Sequence, residues 1–360
     1  MAVATLRLQS TPAPFPRHHL STPKHHRTTT TLRAFSSLSP SPVLSSVTTF
    51  APATVANLGP CFDFLGAAVD SLGDHVTLSL SPSSHHLSIS HISGAPSLSL
   101  DPILNCAGIA ALATLKRLGI REMGLTMTLH KGLPLGSGLG SSAASAAAAA
   151  VAVNAMFGGR LTETELVKAG LESEAKVSGY HADNIGPAIM GGFVMIRSYE
   201  PLDLIRVQFP EDKELVFVLV SPEFEAPTKK MRAVLKGEVG MEHHVWNCSQ
   251  AGALVAAVME GDLVGFGKAM SGDRIVEPKR APLIPGMEAV KRAALEAGAF
   301  GCTISGAGPT AVAVVGEEEK GRVVGERMVE AFARVGKLKA KVTVTRLDRV
   351  GARVVDSKPV

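Results

Sequence analysis

The chain has 360 residues, a length suited to two domains of ordinary size. Apolar residues are 46% and charged residues 19%, so a sizeable core can form, and 35 Gly with 22 Pro excludes a collagen-like or low-complexity chain. The net charge of +4 comes from the N-terminus: Arg7, Arg17, Lys24, Arg27 and Arg33 precede the first acid, Asp63, and setting them aside leaves 31 Lys and Arg against 32 Asp and Glu. The body therefore lacks the basic surface of a nucleic-acid binder. No apolar run reaches the roughly 20 residues of a membrane span, so neither nucleic acid nor membrane is an expected partner. Cys61, Cys106, Cys248 and Cys302 lie far apart, which fits reduced thiols rather than a zinc site or a disulfide scaffold.

Residues 1–46 hold fifteen Ser and Thr, four His, several Pro, no acid and no apolar core. That composition predicts a disordered transit peptide rather than a secretory signal, and its Ser, Thr and Pro favour a plastid address. Order is expected from near Val47. Alternation over Val76–Ser81 and Leu125–Leu129 predicts half-buried strands. Asp101–Leu118 reads as a helix with Ala107, Ala110, Ala111 and Leu115 on one side. A second helix spans Ser142–Phe157 and ends at Gly158-Gly159; a third covers about 162–177, and Gly192–Ile196 is a short strand.

A second part begins near 205, giving expected domains 47–205 and 206–360. Leu215–Val220 is a continuous apolar run, read as a buried strand. Helices are expected around 229–236, 245–258 and 286–298, then a strand at Ala311–Val315, a helix over about 317–335 with Glu317, Glu318 and Glu319 in its first turn, and a strand at Val342–Thr345. His243, Val245 and Trp246, beside a helix start, are assigned to core packing. Strands scattered singly and in pairs among helices predict an α+β fold in two parts.

The stretch Pro134-Leu135-Gly136-Ser137-Gly138-Leu139-Gly140-Ser141-Ser142-Ala143 carries the most chemistry. Glycine at every second position lets the backbone turn sharply and approach a ligand. The alanine helix behind it offers unpaired first-turn amides and a positive dipole end, a natural phosphate seat. Ser141 and Ser142 can cap that helix or offer hydroxyls to phosphate or Mg²⁺. It is not a Walker loop, because no Lys follows the last glycine, nor a dinucleotide fingerprint, because Ser141 stands where the third glycine should be. Gly301–Thr310 is a second glycine-rich turn able to present amides to an anion. Ala51–Asp63 sets Asn57 and Asp63 in an apolar, turn-forming context.

Ala53–Asp63, Pro134–Ala143 and Ser305–Thr310, in this order and at these separations, resemble the three motifs of the GHMP kinases, and the resemblance spans about 47–355. It implies a two-domain α+β architecture, with an N-terminal ribosomal-protein-S5-like ATP domain and a C-terminal ferredoxin-like domain. Within the family, Ala56–Asp63, Ser178–Asn184, Thr228–Arg232, Glu277–Arg280 with Pro285-Gly286, and Leu347–Arg353 resemble the members of plant plastids that phosphorylate the side-chain hydroxyl of L-homoserine.

The resemblance implies ATP and Mg²⁺ as cofactors. Asn105, Lys131 and the loop residues Pro134, Gly136, Ser137, Gly138, Leu139, Gly140, Ser141 and Ser142 would meet the nucleotide. Ser142, or its neighbour Ser141, and Glu174 would hold the metal, with Glu172 the competing carboxylate. L-Homoserine is a zwitterion with a hydroxyl. By resemblance Asn57 and Asp63 would meet its ammonium, and Arg232 and Arg280 its carboxylate, where a planar fork suits bidentate contact. His181 and Asn184 would line the same pocket, Thr228 would sit near the reacting hydroxyl, and Gly306 would close the site. Asn184, Thr228 and Arg232 are the expected catalytic residues. Asn184 stands where several family members have an aspartate base, and an amide cannot accept the proton, so positioning and charge stabilisation would carry the reaction. Asp183 is expected to face away. A homodimer is also expected. Two rivals are a family member acting on another alcohol such as mevalonate or shikimate, and a catalytically silent ligand sensor on the same scaffold.

Overall fold

The structure, a computed structural model, describes residues 40–360 apart from 178 and 236. The transit-peptide assignment therefore lies outside the described residues as far as 39; from 40 onward the chain is described, and the first strand begins at Leu44, ahead of the expected Val47.

The elements run β1 (Leu44–Ala56), β2 (Leu65–Leu80), β3 (Leu87–Ser93), α1 (Cys106–Arg117), β4 (Leu125–His130), α2 (Ser141–Met156), α3 (Glu163–Val177), α4 (Ile185–Met190), β5 (Phe193–Tyr199), β6 (Leu202–Val207), β7 (Val216–Pro222), α5 (Thr228–Ala233), α6 (Met241–Glu260), α7 (Leu263–Met270), α8 (Glu277–Arg280), α9 (Met287–Glu296), β8 (Gly301–Ile304), β9 (Ala311–Val315), α10 (Glu318–Ala331), β10 (Ala340–Arg346) and β11 (Arg353–Pro359). The first sheet is ordered β11-β1-β2-β4-β3, with β5 paired to β2 and β6 to β5; β3 and β4 are parallel and the other pairs antiparallel. The second is an antiparallel sheet ordered β10-β7-β9-β8. The last strand returns to the first sheet, so the sheets are not consecutive stretches of chain.

Helix α2 organises the first core. Alanine has the best helix propensity, and its small side chain lets neighbours approach closely. Ala143, Ala144 and Ala146–Ala150 are all fully buried, and Thr49 of β1 donates its hydroxyl to the Ala148 carbonyl at 2.8 Å. In the second sheet β7, β8 and β9 are buried on both faces, whereas the edge strand β10 is largely exposed. Val216, Val218 and Val220 pack with α9 and α10, whereas Phe217 and Leu219 face the core shared with α6 and α7. Burial on both faces is why Leu215–Val220 carries no polar alternation.

Some expectations are corrected. The helix expected from Asp101 is broken. Asp101 caps a short 3-10 turn over Pro102–Leu104, and α1 begins afresh because the Asn105 side chain accepts from the Ala107 amide at 3.0 Å. Segment Gly301–Ile304, read as part of a turn, is β8, and the front of Ala51–Asp63 is the end of β1. His243 and Val245 are exposed rather than core. Trp246 is half-buried, donates its indole N–H to the Gly272 carbonyl at 2.7 Å and stacks under Arg274. Among the described residues no helix is long and apolar enough to cross a membrane.

Candidate active site

A cavity of about 370 Å³ opens where the ends of β1, β4 and α4 meet the turn after β8. Its first wall is the glycine loop. Gly136, Gly138 and Gly140 take φ of 65°, 80° and 65°, the left-handed region that L side chains avoid. A Cβ on Gly138 would stand 2.5 Å from the Ser305 carbonyl, and one on Gly140 would stand 2.0 Å from the Thr54 hydroxyl. Glycine is thus required at 138 and 140 by close packing as well as by the turn, and at 136 by the turn alone.

Gly140 occupies the cap position of α2 without a side chain to fill it. The serines expected as caps lie inside the helix instead, and the Ser141 hydroxyl donates to the Leu133 carbonyl at 3.3 Å. The first-turn amides are left without a side-chain acceptor, the condition that lets a helix end receive an anion. Ser137, Ser141, Ser142, Asn105, Lys131 and Glu174 stand in the same cavity wall. Pro134 and Leu139 do not. The Pro134 carbonyl accepts from the Ser137 hydroxyl at 2.9 Å, and Leu139 is buried with its carbonyl accepting from the Thr54 amide at 3.1 Å, so both shape the loop from behind.

The turn after β8 braces the loop. Ser305 donates its hydroxyl to the Gly138 carbonyl at 2.7 Å, and the Thr310 amide bonds the Ser137 carbonyl at 3.3 Å. The Gly306 carbonyl accepts from Asn57 Nδ2 at 2.8 Å and from Arg280 Nη1 at 3.1 Å. Two glycine-rich segments and the turn at Asn57, distant in sequence, thus converge on one point.

The opposite wall carries the charge. Asn57, Leu58 and Asp63 all have positive φ, a backbone strain that a tight turn after β1 must hold in place. Asn57 Oδ1 fixes that turn by accepting from the Asp63 amide at 2.9 Å. Arg232 grips the Asp63 carboxylate with both ends of its fork, at 3.0 and 2.5 Å, and His181 Nδ1 lies 3.5 Å from the same carboxylate. Arg232 and Arg280 both lie over the Phe62 ring, at 5.2 and 4.9 Å, and Arg280 Nε donates to the Met231 carbonyl at 3.1 Å. Burial, with the Arg232 charge adding to it, pulls the Arg280 guanidinium down to about 10, still charged at neutral pH. Burial likewise lowers His181, partly opposed by Asp63, so its imidazole favours the neutral form.

Asn184, at the start of α4, accepts from the Thr54 hydroxyl at 2.8 Å through Oδ1, which commits its oxygen and leaves Nδ2 as the available donor. Thr228 opens α5 on the cavity rim. Asp183 lines the cavity and does not face away; it is 4% exposed. Burial, then the Asp63 and Glu174 charges, push its carboxyl up to about 7. Glu172 is outside the cavity, paired with Arg117 at 3.2 Å on the surface, whereas Glu174 is 4% exposed in the wall. Sequence reasoning missed Cys106 and the apolar rim of Leu98, Leu104 and Leu135; the last two are exposed leucines, a signal visible only once burial is known.

An anion-seating loop and a wall of paired charges in one cavity define a kinase for a small charged molecule. Models of the GHMP kinases N terminal domain and the GHMP kinases C terminal region match residues 105–192 and 254–338. The chain is 72% identical over 321 residues to a homoserine kinase of Arabidopsis thaliana, covering 88% of this chain and 87% of that one. It is 40% identical over 322 residues to a homoserine kinase of Chloroherpeton thalassium, covering 87% of this chain and 100% of that one. The crystal structure of homoserine kinase from Cytophaga hutchinsonii superposes with a TM-score of 0.81 at 39% identity, over 86% of this chain and 98% of that one. The chain belongs to the homoserine kinases of the GHMP kinase family.

Proposed function

We propose that the chain transfers the γ-phosphoryl group of ATP to the side-chain hydroxyl of L-homoserine, giving O-phospho-L-homoserine and ADP. The observation that carries this reading is the pairing of Asp63 with Arg232, beside Arg280, in the cavity that also holds the glycine loop. A zwitterion needs an acceptor for its ammonium and a cation for its carboxylate, and both stand in one wall.

Asp63 and Asn57 would receive the ammonium; Arg232 and Arg280 would receive the carboxylate. Asn184 Nδ2 and Thr228 would hold the hydroxyl in line with the γ-phosphorus. The hydroxyl oxygen then bonds to that phosphorus as the bond to the bridging oxygen of ADP breaks. Neither Asn184 nor Thr228 is a base, so they place the oxygen, and the hydroxyl proton passes to an oxygen of the transferred group. The loose transition state of phosphoryl transfer makes positioning and charge stabilisation sufficient. The α2 amides would carry the phosphates, with the Leu98, Leu104 and Leu135 rim beside the base.

Mg²⁺ fits the donor set: one wall carboxylate, Glu174, and the hydroxyl of Ser142 are hard oxygen donors, and phosphate oxygens and water would complete the shell. When bound, the ion would neutralise phosphate charge. The composition of residues 1–46 and the 72% identity to a plant relative support a plastid destination, where the product would serve threonine synthesis.

The test is ADP release by the purified chain with ATP, Mg²⁺ and, in parallel, L-homoserine, mevalonate, shikimate and galactose. Turnover with L-homoserine alone, lost in Arg232→Ala and Glu174→Ala, is expected. Turnover with mevalonate or shikimate would overturn the acceptor assignment, since neither has an ammonium for Asp63. ATP binding without turnover on any of them would indicate the silent sensor.

A further inference from the structure

Asp74, a residue of β2, is fully buried, and among the described residues its ion-pair partner is Lys131, itself 5% exposed. The antiparallel register between β2 and β4 pairs His75 with His130, so Asp74 falls beside the residues that follow β4 and lead into the glycine loop. Its Oδ1 accepts from the Gly132 amide at 3.0 Å and the Leu133 amide at 3.3 Å, the entrance of the loop. Its Oδ2 accepts from Lys131 Nζ and from the Ser145 hydroxyl, the latter at 2.6 Å.

The ammonium completes the figure. Lys131 Nζ donates to Asp74, to the Ser145 hydroxyl at 2.8 Å and to the Ser141 carbonyl at 2.7 Å. Ser141 is the first residue of α2 and the exit of the loop. An ammonium has three donors, and all three are committed inside the protein. Although Lys131 stands in the cavity wall, it has no hydrogen left for a phosphate without breaking one of these bonds, and its charge is balanced by Asp74.

We propose that Asp74 is a positioning residue for phosphoryl transfer: with Lys131 it forms a buried clasp that holds the entrance and exit of the glycine loop at a fixed spacing. A loop with three glycines in left-handed conformations has many alternative shapes, and anchoring its ends removes them before the nucleotide arrives. Asp74 acts through Lys131 and the loop backbone, not on substrate. The inference rests on the reading that this loop seats the nucleotide phosphates.

The experiment uses the full chain and two readouts: ATP affinity by calorimetry, and steady-state kinetics with ATP and L-homoserine varied in turn. Wild-type binding and turnover come first. If the wild type binds ATP but does not phosphorylate L-homoserine, the functional reading fails while the ATP affinity of the variants still tests the clasp. Asp74→Asn keeps the shape but presents an amide to the ammonium. We expect it to weaken ATP binding and lower kcat by about 10-fold or more each, with the KM for L-homoserine within about 2-fold of wild type. The double variant Asp74→Asn with Lys131→Met removes both charges. It should recover thermal stability without recovering ATP affinity. Unchanged ATP affinity in Asp74→Asn, an equal rise in both KM values, or restored ATP affinity in the double variant would overturn the proposal. If Asp74→Asn does not fold, Ser145→Ala decides: it removes one hydroxyl of the clasp, and a KM for ATP equal to wild type would overturn the proposal, whereas a rise of several-fold upholds it.

Discussion

Asp183→Asn should stabilise the protein more at alkaline than at acidic pH. The carboxyl is buried and pushed up to about 7 from an ordinary 3.8. A folded-state pKa above the unfolded value means the native state holds the proton longer. Stability therefore falls as pH rises from the unfolded pKa to the folded one, then levels off. At about 1.4 kcal/mol per pH unit, the stretch from about pH 5 to the folded pKa corresponds to roughly 2–3 kcal/mol. Asparagine has the same shape and no proton to hold, so the variant escapes this loss. The assay is urea unfolding followed by far-UV circular dichroism, for wild type and variant, at about pH 5 and about pH 8.5. The stability difference between variant and wild type should grow by that amount in favour of the variant at the higher pH. Titration of His181 and other groups is common to both proteins and cancels in the difference. A difference that does not change with pH, or that grows in favour of wild type, would refute the assignment of Asp183 as a proton-retaining carboxyl.

Three further outcomes follow from the site and the core. Gly138→Ala places a methyl 2.5 Å from the Ser305 carbonyl and 2.8 Å from the Gly308 carbonyl at a φ of 80°, so it should lower kcat/KM for ATP by about 100-fold and destabilise the fold by about 2 kcal/mol or more, read by kinetics and thermal melts. Arg232→Lys loses the two-pronged grip on Asp63 and should raise the KM for L-homoserine by about 10-fold or more with little change in the KM for ATP. Ala148→Leu overfills the fully buried face of α2 and should cost about 1–3 kcal/mol of unfolding free energy while the variant that remains folded keeps its KM values.

The parts of the fold with strong local signals were legible. Helix α2 was readable because an alanine run bounded by glycines has no competing structure, and β7 because a strand buried on both faces cannot alternate. Strands β1, β3, β6, β8 and β11 were not anticipated: β3, β6 and β8 are short, β11 is largely polar, and β1 and β11 find each other from opposite ends of the described chain. In the site, glycine spacing pointed to the loop, and chemistry together with the family resemblance gathered the charged residues. The orientation of Asp183 was not legible, because it and Asn184 are neighbours in a turn, where no period fixes which way a side chain points. Asp74 was not legible either: it meets Lys131 across 57 positions of chain through the register of a strand pair, and nothing near it in sequence says so.

The return of β11 to the edge of β1 has a consequence for synthesis. The strand that leads into Asn57 and Asp63 cannot acquire its outer neighbour until Arg353–Pro359 has left the ribosome. Until then β1 presents an open edge of unpaired amides and carbonyls, the surface through which nascent chains stick to one another. The turn that carries Asn57 and Asp63 is thus backed by a complete sheet only once β11 has been made, and a message truncated just before Arg353 would yield an exposed-edge protein suited to chaperone capture rather than a working kinase.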